Sequence, residues 1–439
     1  MNLEINQILQ VKAEKLSYEG YGECRIDNFP IFVESLLPNE EAKIIIKQLN
    51  SKFAFAEVLE IYQESATRNK HIKNTQLLKS GSAMLMHLNY DEQLKFKQSI
   101  VDSLFLRELN FKEIKTITPS PSIWNYRNKI SIKIDSNKNK IKHGFYKKRS
   151  HDLVEQTSYD LVSERLNSII FEIINIINNS NKKINWVKEN KIFEITFKHS
   201  LFTNEIQMIF HSLSNKKVNS TFLSEIKEKF SEISIINNIY KRANKLQKGE
   251  ILLNNMDINF QLNELILSVN SDAFYQVNEL QTINVYSDIK DLIARDEKVL
   301  DAFSGVSSIG IFVANKASKI TSVEINDLST KSAKKNIVQN KINNLEIINE
   351  DVKNFLLKHQ YSFDSIIVDP PRNGLDIDVI NSFINSKISK IIYLSCNPRT
   401  LVRDLKVFVE NGYHIEYVKP YDMFPQTPHA ECLVLLKKN

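Results

Sequence analysis

One thiol in this 439-residue chain stands where covalent chemistry is feasible: Cys396, in the run Ile392-Tyr393-Leu394-Ser395-Cys396-Asn397-Pro398-Arg399-Thr400. It follows an apolar stretch that reads as a buried strand, and a helix start and a cation, Arg399, come next. A helix N-terminus and a neighbouring cation each lower a thiol pKa, so an enlarged thiolate fraction is expected at Cys396. A lone cysteine is more commonly a buried structural residue, and position alone leaves both readings open. A second cluster lies in Val299-Leu300-Asp301-Ala302-Phe303-Ser304-Gly305, where a strand ends in Asp301, turns at Gly305 and leads into a helix. That layout presents backbone N–H groups to a ligand. Glu324 ends the next strand, where a carboxylate can hold ribose hydroxyls, and Asp351 ends the third, where one can accept from an adenine amine. In Ile366-Ile367-Val368-Asp369-Pro370-Pro371-Arg372-Asn373-Gly374, two prolines forbid a helix and hold a rigid loop. Such a loop can grip a flat base, or can simply end a strand. Finally, the loop Asp422–Glu431 brings a carboxylate, Glu431, to the same rim.

The elements that must position these residues alternate regularly. Strand patterns at Lys298–Phe303, Ile320–Glu324, Leu345–Asn349, Ser365–Val368 and Lys390–Leu394 are separated by helical ones. The helices are expected at Ile283–Arg295, Ile309–Lys316, Leu328–Asn340, Val352–Lys358, Ile377–Ile384 and Thr400–Asn411. Two strands, His414–Tyr421 and Glu431–Lys437, close the chain without a helix between them. This predicts a parallel, doubly wound α/β sheet with an antiparallel pair at one edge, and all the loops singled out above fall at carboxyl ends of strands, where open sheets bind ligands. Upstream, Gln7–Leu16, Phe29–Val33, Ala42–Leu49 and Phe53–Ile61 read as strands of a small closed barrel. Between barrel and sheet the pattern is mixed α+β. Three domains are therefore expected, at 1–62, 63–265 and 266–439.

Composition narrows the class. An apolar fraction of 42% with 25% charged residues excludes a disordered chain. The longest charge-free stretch, Ala302–Asn315, is too short and too polar for a membrane span, which needs about 18 residues, and the N-terminus has no signal layout. A cytoplasmic, soluble monomer is expected. Three cysteines exclude a disulfide framework and a closed four-cysteine metal or iron–sulfur site. Charge is unevenly placed: residues 1–50 carry a net −3, whereas 101–150 carry +8. The stretch 123–150 holds 9 basic residues and 1 acidic, with Lys138, Lys140, Lys147, Lys148 and Arg149 the expected phosphate grip on a polyanion.

Taken together, DAFSG (301–305), DPPRNG (369–374), SCNPRT (395–400) and DMFPQTPHAE (422–431) resemble, in order, the motifs of the RNA uracil-C5 methyltransferases that use S-adenosylmethionine. Asp272-Ala273-Phe274-Tyr275-Gln276-Val277-Asn278 is similar to the family's FFQVN segment, and Trp124–Lys129 to its basic central strand. The N-terminal barrel resembles the TRAM module, an OB-like RNA-binding fold, with Tyr18-Glu19-Gly20-Tyr21-Gly22 in its turn. The resemblance covers nearly the whole chain. It implies a Rossmann-like class I methyltransferase domain after an OB-like β-barrel and a central α+β domain. It also implies a cofactor site of Gln276, Phe303, Gly305, Glu324, Asp351 and Asp369, with Cys396 as nucleophile and Glu431 as base. Two departures stand out. Ser80-Gly81-Ser82-Ala83 occupies what resembles the family's iron–sulfur cysteine stretch, and Ser307 and Ser308 stand where Gly and Asn are usual.

The chemistry so implied is methyl transfer from S-adenosyl-L-methionine to uracil C5 in RNA, with no metal. Uracil C5 is a poor nucleophile until a thiolate adds to C6, and a base must then remove the C5 proton. Related cytosine enzymes carry a cysteine in the DPP loop, and amine methylases an aromatic after the prolines; here Arg372 stands there. The TRAM-like barrel points to ribosomal RNA. The alternatives are the same chemistry on transfer RNA and a noncatalytic RNA-binding relative.

Overall fold

The computed structural model describes residues 3–72, 74–137, 140–182, 184–242, 245–358, 363–386 and 388–438. Lys138, one of the cations of the basic stretch, lies outside the described residues.

The N-terminal unit has six strands, not four or five: β1 (Ile8–Lys12), β2 (Lys15–Leu16), β3 (Gly22–Ile26), β4 (Phe29–Glu34), β5 (Glu41–Leu49) and β6 (Ala54–Gln63). Their order is β1-β5-β6-β4-β3-β2. Because β1 and β2 are successive pieces of one bent segment, pairing with β5 at one end and β3 at the other closes the sheet into a barrel. Alternation puts Ile31, Val33, Ile44, Ile46, Ala54 and Ala56 inside. A buried ion pair fastens its exit: Arg68 Nη2 donates to Glu40 Oε2 at 2.6 Å, and Glu40 also accepts from the backbone N–H groups of Leu37 and Ser65.

The central domain is a seven-stranded mixed sheet of β7 (Lys129–Asp135), β8 (Lys142–Tyr146), β9 (Leu153–Glu155), β10 (Ile192–His199), β11 (Ile206–Ser212), β12 (Ile233–Arg242) and β13 (Lys245–Leu253). Helices Glu164–Ser180 and Ser220–Lys229 bury Leu166, Ile170, Ile173, Ile177, Phe222 and Ile226 against it.

A hairpin of β14 (Asp257–Leu262) and β15 (Leu265–Asn270) follows. The expected boundary at 265/266 cuts through this hairpin. Ile258, Phe260, Leu262, Leu267 and Val269 are buried in the same core as the C-terminal sheet, so the domain begins near residue 256. That sheet has β16 (Lys298–Ala302), β17 (Lys319–Glu324), β18 (Leu345–Asn349), β19 (Ser365–Val368), β20 (Lys390–Ser395), β21 (Tyr413–Tyr421) and β22 (Glu431–Lys438) in the order β18-β17-β16-β19-β20-β22-β21. The first five are parallel and β22 is antiparallel to both of its neighbours. This is the doubly wound α/β fold with the expected antiparallel edge.

The helix Tyr90–Leu109 falls within 63–265, the range expected for the central domain, yet it packs elsewhere. Its Val101, Leu104 and Phe105 are buried in the other face of the C-terminal sheet with Leu401, Leu405 and Phe408. Burying each such side chain is worth roughly 1.5–3 kcal/mol, so the helix is a structural part of that domain. The helix expected at Ile283–Arg295 lies a few residues earlier in the chain. Asn278 Oδ1 accepts from the Gln281 N–H, and this cap starts the helix at Glu279; it ends at Leu292. Among the described residues no helix is long and apolar enough to cross a membrane.

Candidate active site

The strand ends β16, β17, β19 and β20 bring the sequence motifs to one rim. After β20, Asn397 caps the helix Pro398–Glu410 by accepting from the Arg399 N–H, with proline at the first helical position. The Asn397 amide donates to the Arg372 carbonyl at 3.0 Å, and Thr400 Oγ1 donates to the same oxygen at 3.2 Å. The nucleophile loop and the double-proline loop are therefore one rigid unit. Gly374 completes it: its φ is +73°, and a Cβ there would lie 2.5 Å from Asp404 Oδ2.

Cys396 is half-buried at the start of this unit. Contrary to expectation, its thiol is pushed up, to about 12. Burial is the largest cause, and the Glu431 and Asp369 carboxyls add to it, while Arg372 opposes them. Arg399, expected to lower it, is turned away: its guanidinium lies 3.6 Å over the Tyr18 ring and meets Glu19 at 3.3 Å.

Glu431 is the first residue of β22, fully buried, and its Oε1 has no hydrogen-bond partner. Burial, and after it the Asp369 charge, hold its carboxyl well above the usual carboxylate range. Asp369 is raised to about 7 by burial and by Asp301, although Gln276 Nε2 donates to its Oδ2 at 3.1 Å. Asp301 is likewise raised to about 7 by burial, against hydrogen bonds from Ser322 Oγ at 2.9 Å and the Gly310 N–H at 3.2 Å. The rim thus holds a surplus of buried carboxyls.

Around β16 and β17, Glu324 Oε2 accepts from the Gly305 N–H at 2.9 Å and its Oε1 from the Asn326 N–H at 2.7 Å. Phe303 and Ser307 adopt left-handed backbone, with φ of +59° and +57°. At Ser307 the conformation is one that glycine adopts more readily, and the serine is held by an Oγ contact of 2.7 Å to Ser322 Oγ. Ser308 Oγ meets Tyr286 OH at 2.9 Å. Asp351 Oδ1 accepts from the Asn354 N–H at 3.1 Å, starting the helix that follows β18. The Ser80–Ala83 stretch forms a plain turn: Ser80 Oγ donates to the Leu77 carbonyl at 2.7 Å and Ala83 is buried among Leu77, Met86, Tyr126 and Leu161. Among the described residues no group of three or more His, Cys, Asp or Glu side chains is placed to hold a metal.

The loop between β21 and β22 is held by residues that sequence reasoning passed over. Lys97 and Asp422 are both fully buried, with Nζ 2.5 Å from Oδ1, and Tyr90 OH donates to Asp422 Oδ2 at 2.8 Å. Gln93 exchanges hydrogen bonds with Gln426, Tyr126 OH donates to the Pro425 carbonyl, and the Asn278 amide to the Met423 carbonyl. Lys198, buried and lowered to about 7 by burial, donates to the Ser271 carbonyl at 2.8 Å and so braces the segment before Gln276. Only the polar character of Lys97 in an otherwise amphipathic helix hints at such a role in the sequence. His429 receives a hydrogen bond from Arg372 Nη2 at 3.0 Å; burial, and after it that cation, lower the imidazole to about 4, so it stays neutral.

Three cations of the basic stretch turn toward the barrel. Lys147 pairs with Glu57 of the barrel, Lys148 lies 4.3 Å over the Tyr21 ring, and Arg149 lies 3.3 Å over the Phe55 ring. Lys140 is exposed.

The sequence model of the tRNA (Uracil-5-)-methyltransferase family matches residues 89–439, and that of the TRAM domain residues 3–59. The chain belongs to the tRNA (Uracil-5-)-methyltransferase family. Relatives agree over the full length. An uncharacterized RNA methyltransferase of Bacillus cereus (strain ATCC 10987) is 32% identical, with 99% of this chain and 98% of that protein covered. One of Lactobacillus johnsonii is 31% identical, with 99% of each covered. Among solved structures, the Pyrococcus abyssi tRNA (uracil-54, C5)-methyltransferase, in complex with S-adenosyl-L-homocysteine, shares the fold at a TM-score of 0.78 and 24% identity. It covers 97% of this chain and 99% of its own. This member of the family is an RNA methyltransferase with an N-terminal TRAM domain.

Proposed function

We propose that this chain methylates C5 of a specific uridine in RNA, with S-adenosyl-L-methionine as methyl donor, through a covalent bond from Cys396 Sγ to uracil C6. The observation that carries the reading is geometric. The pairing of Ser395 with Cys432 sets Cys396 and Glu431 at one end of neighbouring strands, and the Glu431 carboxyl is buried there with an unpartnered oxygen.

The residues fit the donor. The Ser304 hydroxyl is buried without a partner, a Cβ on Gly305 would meet nothing within 4 Å, and the rim's buried carboxyls suit a cation. Gln276, Phe303, Gly305, Glu324, Asp351 and Asp369 would hold it. Bound S-adenosyl-L-methionine supplies an electrophilic methyl on a sulfonium, whose charge favours ionised carboxyls nearby.

Cys396 gives its proton to solvent and its sulfur bonds to C6, which moves the C5–C6 electron pair through C5 onto O4 as an enolate. C5 of that enolate would take the methyl as the donor's methyl–sulfur bond breaks, with S-adenosyl-L-homocysteine as the leaving group. Glu431, ionised at that stage, takes the C5 proton; the C5–C6 double bond re-forms and the sulfur leaves. Arg372 opposes the carboxyls at the thiol and so favours the thiolate.

The target uridine must be unstacked, costing a few kcal/mol that protein contacts offset. Ribosomal RNA is the first reading, carried by the TRAM domain. Transfer RNA is the second, favoured by the full-length match to a tRNA enzyme that spans the same barrel. The same reading takes the enzyme as a cytoplasmic monomer. The deciding experiment is mass spectrometry of ribosomal and transfer RNA from cells with and without the gene, together with trapping on 5-fluorouridine RNA. Loss of 5-methyluridine from one class assigns the target, and failure of Cys396 to be trapped removes the covalent reading.

A further inference from the structure

On β4, β6 and the residue before β6, alternation that sends Ile31, Val33, Ala54 and Ala56 inward leaves Phe32, Phe53 and Phe55 on the outer face. Register pairs Phe32 with Phe55. The three rings close a triangle, with centroids 5.9, 5.7 and 5.4 Å apart, and Tyr21 adds a fourth ring 5.4 Å from Phe55. Soluble barrels do not ordinarily gather aromatic rings on the solvent side, where they gain little.

The turn between β8 and β9 of the central domain reaches over this patch. Arg149 places its guanidinium 3.3 Å above the Phe55 centroid while remaining solvent-exposed. Its backbone is left-handed, φ +59°, a conformation uncommon for arginine that has to be held by its surroundings. The acids of the same face do not cancel the cations: Glu57 is engaged by Lys147 and by Lys47 at 4.0 Å, and Glu34 faces Lys147, Lys148 and Arg149. The patch also adjoins the catalytic rim. Tyr21 and Tyr18 belong to one turn, in which the Ser17 N–H donates to the Tyr21 carbonyl at 2.7 Å, and Tyr18 OH donates to Asn397 Oδ1 at 3.3 Å, beside Cys396.

We propose that Arg149, Phe55, Phe32 and Phe53 form a stacking subsite for an unpaired base of the RNA, to one side of the target uridine. The inference rests on the reading that this chain binds RNA. A guanidinium plane backed by an aromatic ring offers its free face to a base, and base stacking of this kind tolerates any sequence. The occupant is single-stranded RNA because stacking rings and unspent positive charge meet at one place.

The test uses the full chain and two fluorescent probes, an oligoadenylate of about 12 nucleotides and an abasic ribose-phosphate oligomer of equal length. The wild type should prefer the base-bearing oligomer by roughly tenfold. Arg149→Lys keeps the charge and removes the plane; Phe55→Leu keeps apolar bulk and removes the ring. Each should cut that preference to about threefold or less, with abasic binding and its salt dependence unchanged. Preference retained by both variants overturns the subsite while leaving the RNA reading intact. A wild type that binds neither oligomer overturns the RNA reading itself. Should Phe55→Leu unfold the barrel, Arg149→Lys decides alone.

Discussion

Cys396 and Glu431 leave neighbouring antiparallel strands at the same end, each one residue beyond the paired Ser395 and Cys432. Strand pairing, not loop conformation, therefore sets the nucleophile against the base.

The two residues should fail at different steps. Cys396→Ala should form neither adduct nor product. Glu431→Gln should add and accept the methyl but retain the C5 proton, accumulating a protein–RNA species that survives denaturation and carries the methyl. Denaturing gels and mass spectrometry of the Cys396 peptide check both; normal turnover by Glu431→Gln would return that residue to a structural role.

Stability should depend on pH through the buried carboxyls. Asp369 has its folded pKa raised from 3.8 to about 7, so its protonated form is the one the fold favours. That contribution is fully present below about pH 4 and is lost as pH rises through about 7. Asp369→Asn removes that residue's share of the dependence, leaving those of Asp301 and Glu431, and without cofactor it should be more stable than wild type at pH 8 and no more stable at pH 4. Urea unfolding at the two pH values measures the difference; equal gains at both would point to packing instead.

The Lys97–Asp422 pair should behave as a buried ion pair. Lys97→Met leaves Asp422 without its cation and should cost about 3–5 kcal/mol, whereas Lys97→Met with Asp422→Leu should recover much of it. Chemical denaturation of the single and double variants tests this, and additive losses would exclude the coupling.

Much of the C-terminal domain was legible because strand and helix periods alternate cleanly: Leu345–Asn349, Val352–Lys358 and Ser365–Val368 have the bounds the pattern implies. The hairpin Asp257–Asn270 and the helix Tyr90–Leu109 were assigned to the wrong neighbours, since local periodicity reports which face is apolar and not what covers it. The direction of the thiol shift was missed for a related reason. Arg399 is close to Cys396 in the chain, but Tyr18, remote in sequence, decides where its charge goes.

Glu324 should matter twice over, through the donor's ribose and through the Gly305 N–H it accepts from. Glu324→Ala should weaken S-adenosyl-L-methionine binding by about 1–3 kcal/mol, and Glu324→Gln by less. Isothermal calorimetry gives the values, and unchanged affinity for Glu324→Ala would take the residue out of the site.

Tyr18 reaches Asn397 across 379 residues, and Tyr90 and Lys97 reach Asp422 across 332 and 325. During synthesis the barrel and central domain leave the ribosome first and can fold as units, whereas the catalytic rim has nothing to close on until the last strand emerges. A prematurely terminated chain therefore retains the barrel and central domain without acquiring the means to modify RNA.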